Sequence, residues 1–219
     1  MTADRASVDG ALAALRRLDV LGLNRGSTGN LSLRCAREGR EGMLITPTGM
    51  GADELQPAQM VWMGWDGSVQ GEWQPSSEWH FHRALLQQRA DLQAVVHTHS
   101  VHATALACLE RELPPFHYMV AVAGGSRVPC TPYHTFGSEA LSAAVVQAMG
   151  DCNACLMAHH GLVAAGATLA QAMKIAIEIE SLCEVYLKLL AVAEPRHLSD
   201  AQMAEVLHKF RSYGSQRRR

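Results

Sequence analysis

The stretch Val95-Val96-His97-Thr98-His99-Ser100 constrains this chain more than any other, because an apolar run ends there in two histidines one residue apart. Side chains along a β-strand alternate between faces, so both imidazoles turn to the same side. Polar rings are a costly way to finish a core strand unless they bind something, and two on one side form a clamp for a metal ion. A second apolar run, Leu156-Met157-Ala158, ends in His159-His160-Gly161, and an acidic residue, Glu78, stands upstream in Pro75-Ser76-Ser77-Glu78. Three imidazoles and one carboxylate on a single ion are expected from these stretches.

The 219 residues, 48% of them hydrophobic, suit one sizeable core and a single domain over 1–219. With 19 basic and 21 acidic residues, the net charge of -2 supplies no broad field for nucleic acid or an anionic membrane. The six cysteines show no disulfide framework, and Cys152-Asn153-Ala154-Cys155 lacks a partner pair at finger-like distance, so it reads as loop and strand packing. No apolar stretch has the length of a signal peptide or a membrane span. A reduced, cytoplasmic chain is expected.

In chain order, Leu12, Leu15, Leu18 and Leu21 give an amphipathic helix over 8–23. Arg25-Gly26-Ser27-Thr28-Gly29-Asn30 is either a plain turn or a small-anion seat before a strand at 31–34. Met43-Leu44-Ile45 forms a strand ending in the turn Thr46-Pro47-Thr48-Gly49, and Asp66-Gly67 marks a hairpin. Ser76 and Ser77 open a helix through Phe81, Leu85 and Leu86, and hydroxyls at a helix N-terminus suit a phosphate. Ser100 caps the next helix, 117–122 reads as strand or extended loop, and 127–133 as a proline-interrupted edge strand. Ser138, Thr168 and Ser199 each cap a helix, the last running to Tyr213 before a frayed tail over 214–219. Hairpin signals and short strands argue for a mostly antiparallel sheet between helical layers, a three-layer α/β/α arrangement.

The ordered set of motifs resembles the class II aldolase and adducin-head family over nearly the whole chain. It runs through Gly29-Asn30-Leu31-Ser32, Ile45-Thr46-Pro47-Thr48-Gly49, Pro75-Ser76-Ser77-Glu78-Trp79, Val95-Val96-His97-Thr98-His99, His117-Tyr118-Met119, Pro132-Tyr133-His134-Thr135-Phe136-Gly137, His159-His160-Gly161-Leu162 and Lys209-Phe210-Arg211-Ser212-Tyr213-Gly214. Residue by residue, the resemblance implies zinc ligands at His97, His99, His160 and Glu78, with His159 a neighbour only. Divalent cobalt or manganese also suits such donors. It implies phosphate contacts at Gly29, Asn30, Thr48, Gly49, Ser76 and Ser77. Tyr118 would reach a neighbouring subunit's site in a homotetramer with sites at its interfaces, and Tyr213 would fold over the pocket. Phe136 and Phe210 match the apolar aldehyde wall. His134 and the basic ending depart from the family's pattern.

The implied reaction is reversible cleavage of a ketose 1-phosphate, of the L-fuculose 1-phosphate type, to dihydroxyacetone phosphate and an aldehyde such as L-lactaldehyde. A zinc-stabilised enediolate would carry it, with Glu78 and Tyr118 handling protons. Salvage aldolases acting on 5-deoxyribulose or 5-methylthioribulose 1-phosphate are the nearest rivals. More remote are a pentulose 5-phosphate 4-epimerase, a methylthioribulose phosphate dehydratase and a metal-free adducin-like scaffold.

Overall fold

Strand β5 (Ala94–Thr98) is buried along its whole length, and its alternation explains the layering of the molecule. Val95 joins a core with Phe81, Leu85 and Leu86 of α2 (Trp79–Gln88) and Leu141 and Val145 of α4 (Glu139–Met149). Its neighbours Ala94 and Val96 join the opposite core with Ala103 and Leu106 of α3 (Val101–Cys108) and Ile175 and Ile179 of α5 (Leu169–Leu190). A strand covered on both faces reads as one apolar run, which is why Ala94-Val95-Val96 shows no polar alternation. Helices α1 (Arg5–Val20) and α6 (Asp200–Phe210) contribute to the α3 and α5 side. The result is the expected three-layer α/β/α arrangement.

The structure, a computed structural model, describes residues 5–210, so Tyr213 and the 214–219 tail lie outside the described residues. The remaining strands are β1 (Asn30–Arg34), β2 (Gly42–Ile45), β3 (Val61–Gly64), β4 (Val69–Gln70), β6 (Cys130–Thr131), β7 (Ala154–Met157) and β8 (Gly161–Gly166). One eight-stranded sheet runs in the order β4-β3-β2-β1-β5-β8-β7-β6. Every neighbouring pair is antiparallel except β6 with β7, so the sheet is mixed but mostly antiparallel. Register brings the functional ends together: Asn30 at the start of β1 pairs with His97 near the end of β5, and Thr98 pairs with Leu162 at the start of β8.

Four local expectations are revised. The sequence marks no strand between His160 and Thr168, yet β8 occupies the middle of the sheet. Its run of small residues between two glycines, Gly161-Leu162-Val163-Ala164-Ala165-Gly166, carries little β-branched signal. The 117–122 stretch is neither strand nor extended loop but a 3-10 helix over Tyr118–Ala123. His117 Nδ1 accepts from the Met119 N–H, and Val120, Ala121 and Ala123 are buried, so a local cap and apolar packing decide its form. Ser100 does stand at the N-cap of α3, but its side chain makes no capping bond. The Glu180 carboxylate, from α5, accepts from the His102 and Ala103 amides instead, at 2.9 and 2.8 Å. The edge strand foreseen over 127–133 shrinks to the two residues of β6.

Other expectations stand. Asp66-Gly67 turns the β3–β4 hairpin, and Ser138 and Thr168 cap α4 and α5 through their hydroxyls. Cys155 packs inside β7, and both it and Cys152 are free thiols. Among the described residues no helix is long and apolar enough to cross a membrane.

Candidate metal centre and adjoining cavity

Each donor owes its position to an element end. His97 is the fourth residue of β5 and His99 follows the strand directly, so the two rings share a face. His160 leaves a three-residue turn between β7 and β8, closed by a hydrogen bond that the His160 N–H donates to the Met157 carbonyl at 3.0 Å. His159, beside it, adopts the left-handed region at φ 56°, and its Nε2 lies 3.0 Å from Glu110 Oε1. Glu78 stands at the N-cap of α2. Gly161 lets the turn approach: a Cβ there would lie 2.4 Å from the Thr98 carbonyl oxygen and 3.3 Å from His97 Cε1.

These elements place Nε2 or carboxylate atoms of Glu78, His97, His99 and His160 within 4.8 Å of one another. His97 Nε2 lies 3.2 Å from Glu78 Oε2 and 2.9 Å from His99 Nε2, and His160 Nε2 lies 3.2 Å from Glu78 Oε1. His97 Nδ1 is 3.0 Å from the Leu162 carbonyl, which only accepts, so this nitrogen carries a proton and Nε2 is the nitrogen turned toward the cluster. Held this way, Nε2 of His97 and the carboxylate of Glu78 can both turn lone pairs to one metal ion. Glu78 Oε1 is buried and has no hydrogen-bond partner. The donor set therefore fits a metal ion, with the second ring nitrogen of His97 oriented by a backbone carbonyl as metal-bound imidazoles usually are.

The electrostatics favour the ligating forms. Burial, helped by His97, lowers His99 and His160 to about 4 against the pull of Glu78, so both rings are neutral near pH 7. Burial alone would raise the Glu78 carboxyl. The facing His97 and His160 rings and a bond from Asn30 outweigh it and hold the group well below the usual carboxylate range.

A cavity of about 360 Å³ opens beside the cluster. Gly29, Asn30, Thr48, Gly49, Ser76 and Ser77, the six positions expected to hold phosphate, all line it, as does Phe136. Gly29 has φ 75° and a Cβ there would meet Asn24 Oδ1 at 2.4 Å, so the turn is closed to other residues twice over. Asn30 lines the cavity, but both ends of its carboxamide are engaged: Nδ2 donates to Glu78 Oε2 at 2.9 Å, and Oδ1 faces His82 Nε2 at 2.5 Å. Tyr118, half exposed on the 3-10 helix, and Phe210, packed against the α5 and α6 core, do not border the cavity of their own chain.

Sequence reasoning left several lining residues without a role. Ser27 and Thr28 sit in the turn already marked as an anion seat, and Tyr133 and His134 sit in the Pro132-Gly137 motif. His134, noted only as a departure from the family's pattern, thus faces the cavity. His82, a buried histidine on an apolar helix face, carried no signal in the sequence.

Residues 10–187 match the family described as the Class II Aldolase and Adducin N-terminal domain. The chain belongs to this family. It is an aldolase of the metal-dependent class, a carbon–carbon lyase, and its cluster of one carboxylate and three imidazoles agrees with that class. The aldolase is 47% identical over 205 residues to a 5-methylthioribulose-1-phosphate/5-deoxyribulose-1-phosphate aldolase of Rhodospirillum rubrum, covering 94% of this chain and 91% of that protein. It is 46% identical over 195 residues to the L-fuculose phosphate aldolase of Escherichia coli K12, covering 89% of each. Among solved structures, an L-fuculose 1-phosphate aldolase superposes with a TM-score of 0.91 at 36% identity, over 95% of this chain and 98% of that one.

Proposed function

We propose that this aldolase cleaves L-fuculose 1-phosphate reversibly to dihydroxyacetone phosphate and L-lactaldehyde, in the cytoplasm, as a homotetramer. The observation that carries the reading is the shared wall: the four-donor cluster and the six small polar residues border one cavity. Zinc, suited to three nitrogens and one oxygen, would polarise the ketose carbonyl and offset the charge that develops as the C3–C4 bond breaks.

The chain's own residues do the rest. Ser76 and Ser77 precede the N-terminus of α2, and Thr48, Gly49 and Gly29 line the same cavity, a seat for phosphate that holds no lysine or arginine among the described residues. Glu78, anionic at rest, takes the C3 proton in the condensation direction and returns it in cleavage. In condensation the Tyr118 phenol donates its proton to the aldehyde oxygen in the neighbouring subunit's site and then recovers one from Glu78, and cleavage runs these transfers in reverse; its half-exposed position outside its own cavity supports this role. Phe136 walls the aldehyde side.

A second reading has a specific observation behind it. The Rhodospirillum relative is named for 5-methylthioribulose and 5-deoxyribulose 1-phosphates, and Phe136, 66% exposed, offers an apolar rim to a methyl or methylthio end. A coupled assay of dihydroxyacetone phosphate release from fuculose, rhamnulose, deoxyribulose and methylthioribulose 1-phosphates decides. Highest kcat/KM on fuculose 1-phosphate supports the first reading and highest on a 5-substituted ribulose phosphate the second. Release from none of them overturns both.

A further inference from the structure

Behind Glu78 lies a chain of buried polar side chains that supplies no ligand to the metal cluster. Asn30 and Ser32, two apart on β1, face α2, while Glu78 and His82, four apart, face back from α2. Ser32 Oγ is 2.8 Å from His82 Nδ1, His82 Nε2 is 2.5 Å from Asn30 Oδ1, and Asn30 Nδ2 is 2.9 Å from Glu78 Oε2. Ser32 and His82 are wholly buried and Asn30 is 5% exposed.

Counting protons fixes the direction of every bond. A carboxylate only accepts, so Asn30 turns its NH2 toward Glu78 and its oxygen toward His82. That oxygen only accepts, so His82 carries its proton on Nε2. Burial, with His97 beside it and Glu78 opposing, lowers His82 to about 3 and keeps the ring neutral, so Nδ1 accepts from the Ser32 hydroxyl. Rotating the Asn30 carboxamide by half a turn would set its oxygen against Glu78 and its NH2 against the His82 N–H. The Glu78 carboxylate, which can only accept, forbids that rotation, and the His82 tautomer follows from it.

We propose that His82, acting through Asn30, is a positioning residue for Glu78: it fixes Oε2 in a hydrogen bond and leaves Oε1 as the oxygen free to serve the metal and the substrate. Asn30 then orients the carboxylate through Nδ2. The orientation stands on geometry alone, and its consequence for turnover rests on the aldolase reading above.

The experiment combines His82→Phe, His82→Gln, Asn30→Ala and the His82→Phe/Asn30→Ala double variant with 15N spectra of histidine-labelled protein. Losing an orienting bond to a charged group lowers kcat by about 10- to 100-fold. That loss is expected for His82→Phe and for Asn30→Ala, with KM for the phosphorylated ketose within about twofold, since Ser76, Ser77, Thr48 and Gly49 remain. The double variant should be little worse than Asn30→Ala, because His82 acts through Asn30. His82→Gln should recover most of the rate, since its amide N–H can still donate to Asn30. The spectra should show His82 protonated at Nε2, with its signal moved by Asn30→Ala. A raised KM with unchanged kcat in Asn30→Ala would make Asn30 a substrate ligand and overturn the proposal. Multiplicative losses in the double variant, or a proton on His82 Nδ1, would overturn it as well. Should the wild type release no dihydroxyacetone phosphate, the aldolase reading fails, and the tautomer still decides the orientation.

Discussion

Gly161 lies so close to Thr98 that a Cβ on it would stand 2.4 Å from the Thr98 carbonyl oxygen. This contact seats the start of β8 against the end of β5 and so brings His160 to His97, whose ring centroids are 4.8 Å apart. Gly161→Ala should force the two strands apart, at about 1–3 kcal/mol for overpacking. A fall in Tm of roughly 2–4 °C for each kcal/mol is expected by calorimetry, with faster loss of metal to a chelator. An unchanged Tm together with full metal retention would show that the hairpin adjusts without disturbing the cluster.

The two kinds of ligand should separate on mutation. His97 is buried, its Nδ1 is held by the Leu162 carbonyl, and it touches both Glu78 and His99, so His97→Ala removes the central donor. Loss of bound metal and of activity together is expected, read by elemental analysis of the purified protein. Glu78→Gln leaves three imidazoles and should keep the metal, while turnover falls on the order of 10²-fold or more if proton transfer is the carboxylate's main task. Retained turnover in that variant would remove Glu78 from the chemistry.

Phosphate recognition is testable at Ser77, whose neighbours contribute largely through backbone and hydroxyl groups. Ser77→Ala should raise KM for a ketose 1-phosphate by about 10-fold, the order of one hydrogen bond to a charged group, with kcat less affected. Inorganic phosphate as a competitive inhibitor should weaken in parallel. Equal KM values would place the phosphate elsewhere.

The site was legible in the sequence because its chemistry is written in short runs at element ends. His97 and His99 share a strand face by simple alternation, and Gly29, Thr48, Gly49, Ser76 and Ser77 lie in turns whose small residues show themselves. What escaped notice depends on tertiary contacts. The capping of α3 by Glu180 joins residues 77 and 78 positions apart, and the His82 bonds to Ser32 and Asn30 span 50 and 52. Strand β8 was missed because its small residues mark no strand of their own and earn their place between β5 and β7. The layering was legible for the opposite reason, since doubly covered strands appear as unbroken apolar runs.

His82 also sets a pH dependence of stability whose sign can be worked out. Its ordinary value of 6.5 falls to about 3 in the folded protein, by burial first and His97 second, with Glu78 opposing. Between those values the unfolded chain takes up a proton that the folded chain refuses. Stability is therefore complete above about pH 6.5 and is lost as pH falls toward 3, by about 2 kcal/mol from this residue alone between pH 7 and pH 5. His99 and His160, lowered to about 4, act in the same direction when no metal holds them. Denaturant unfolding of metal-free wild type and His82→Gln at both pH values isolates the His82 share, because glutamine does not titrate. The wild type should lose more stability on acidification than the variant by about that amount, whereas parallel losses would mean that the folded chain protonates His82 as readily as the unfolded one.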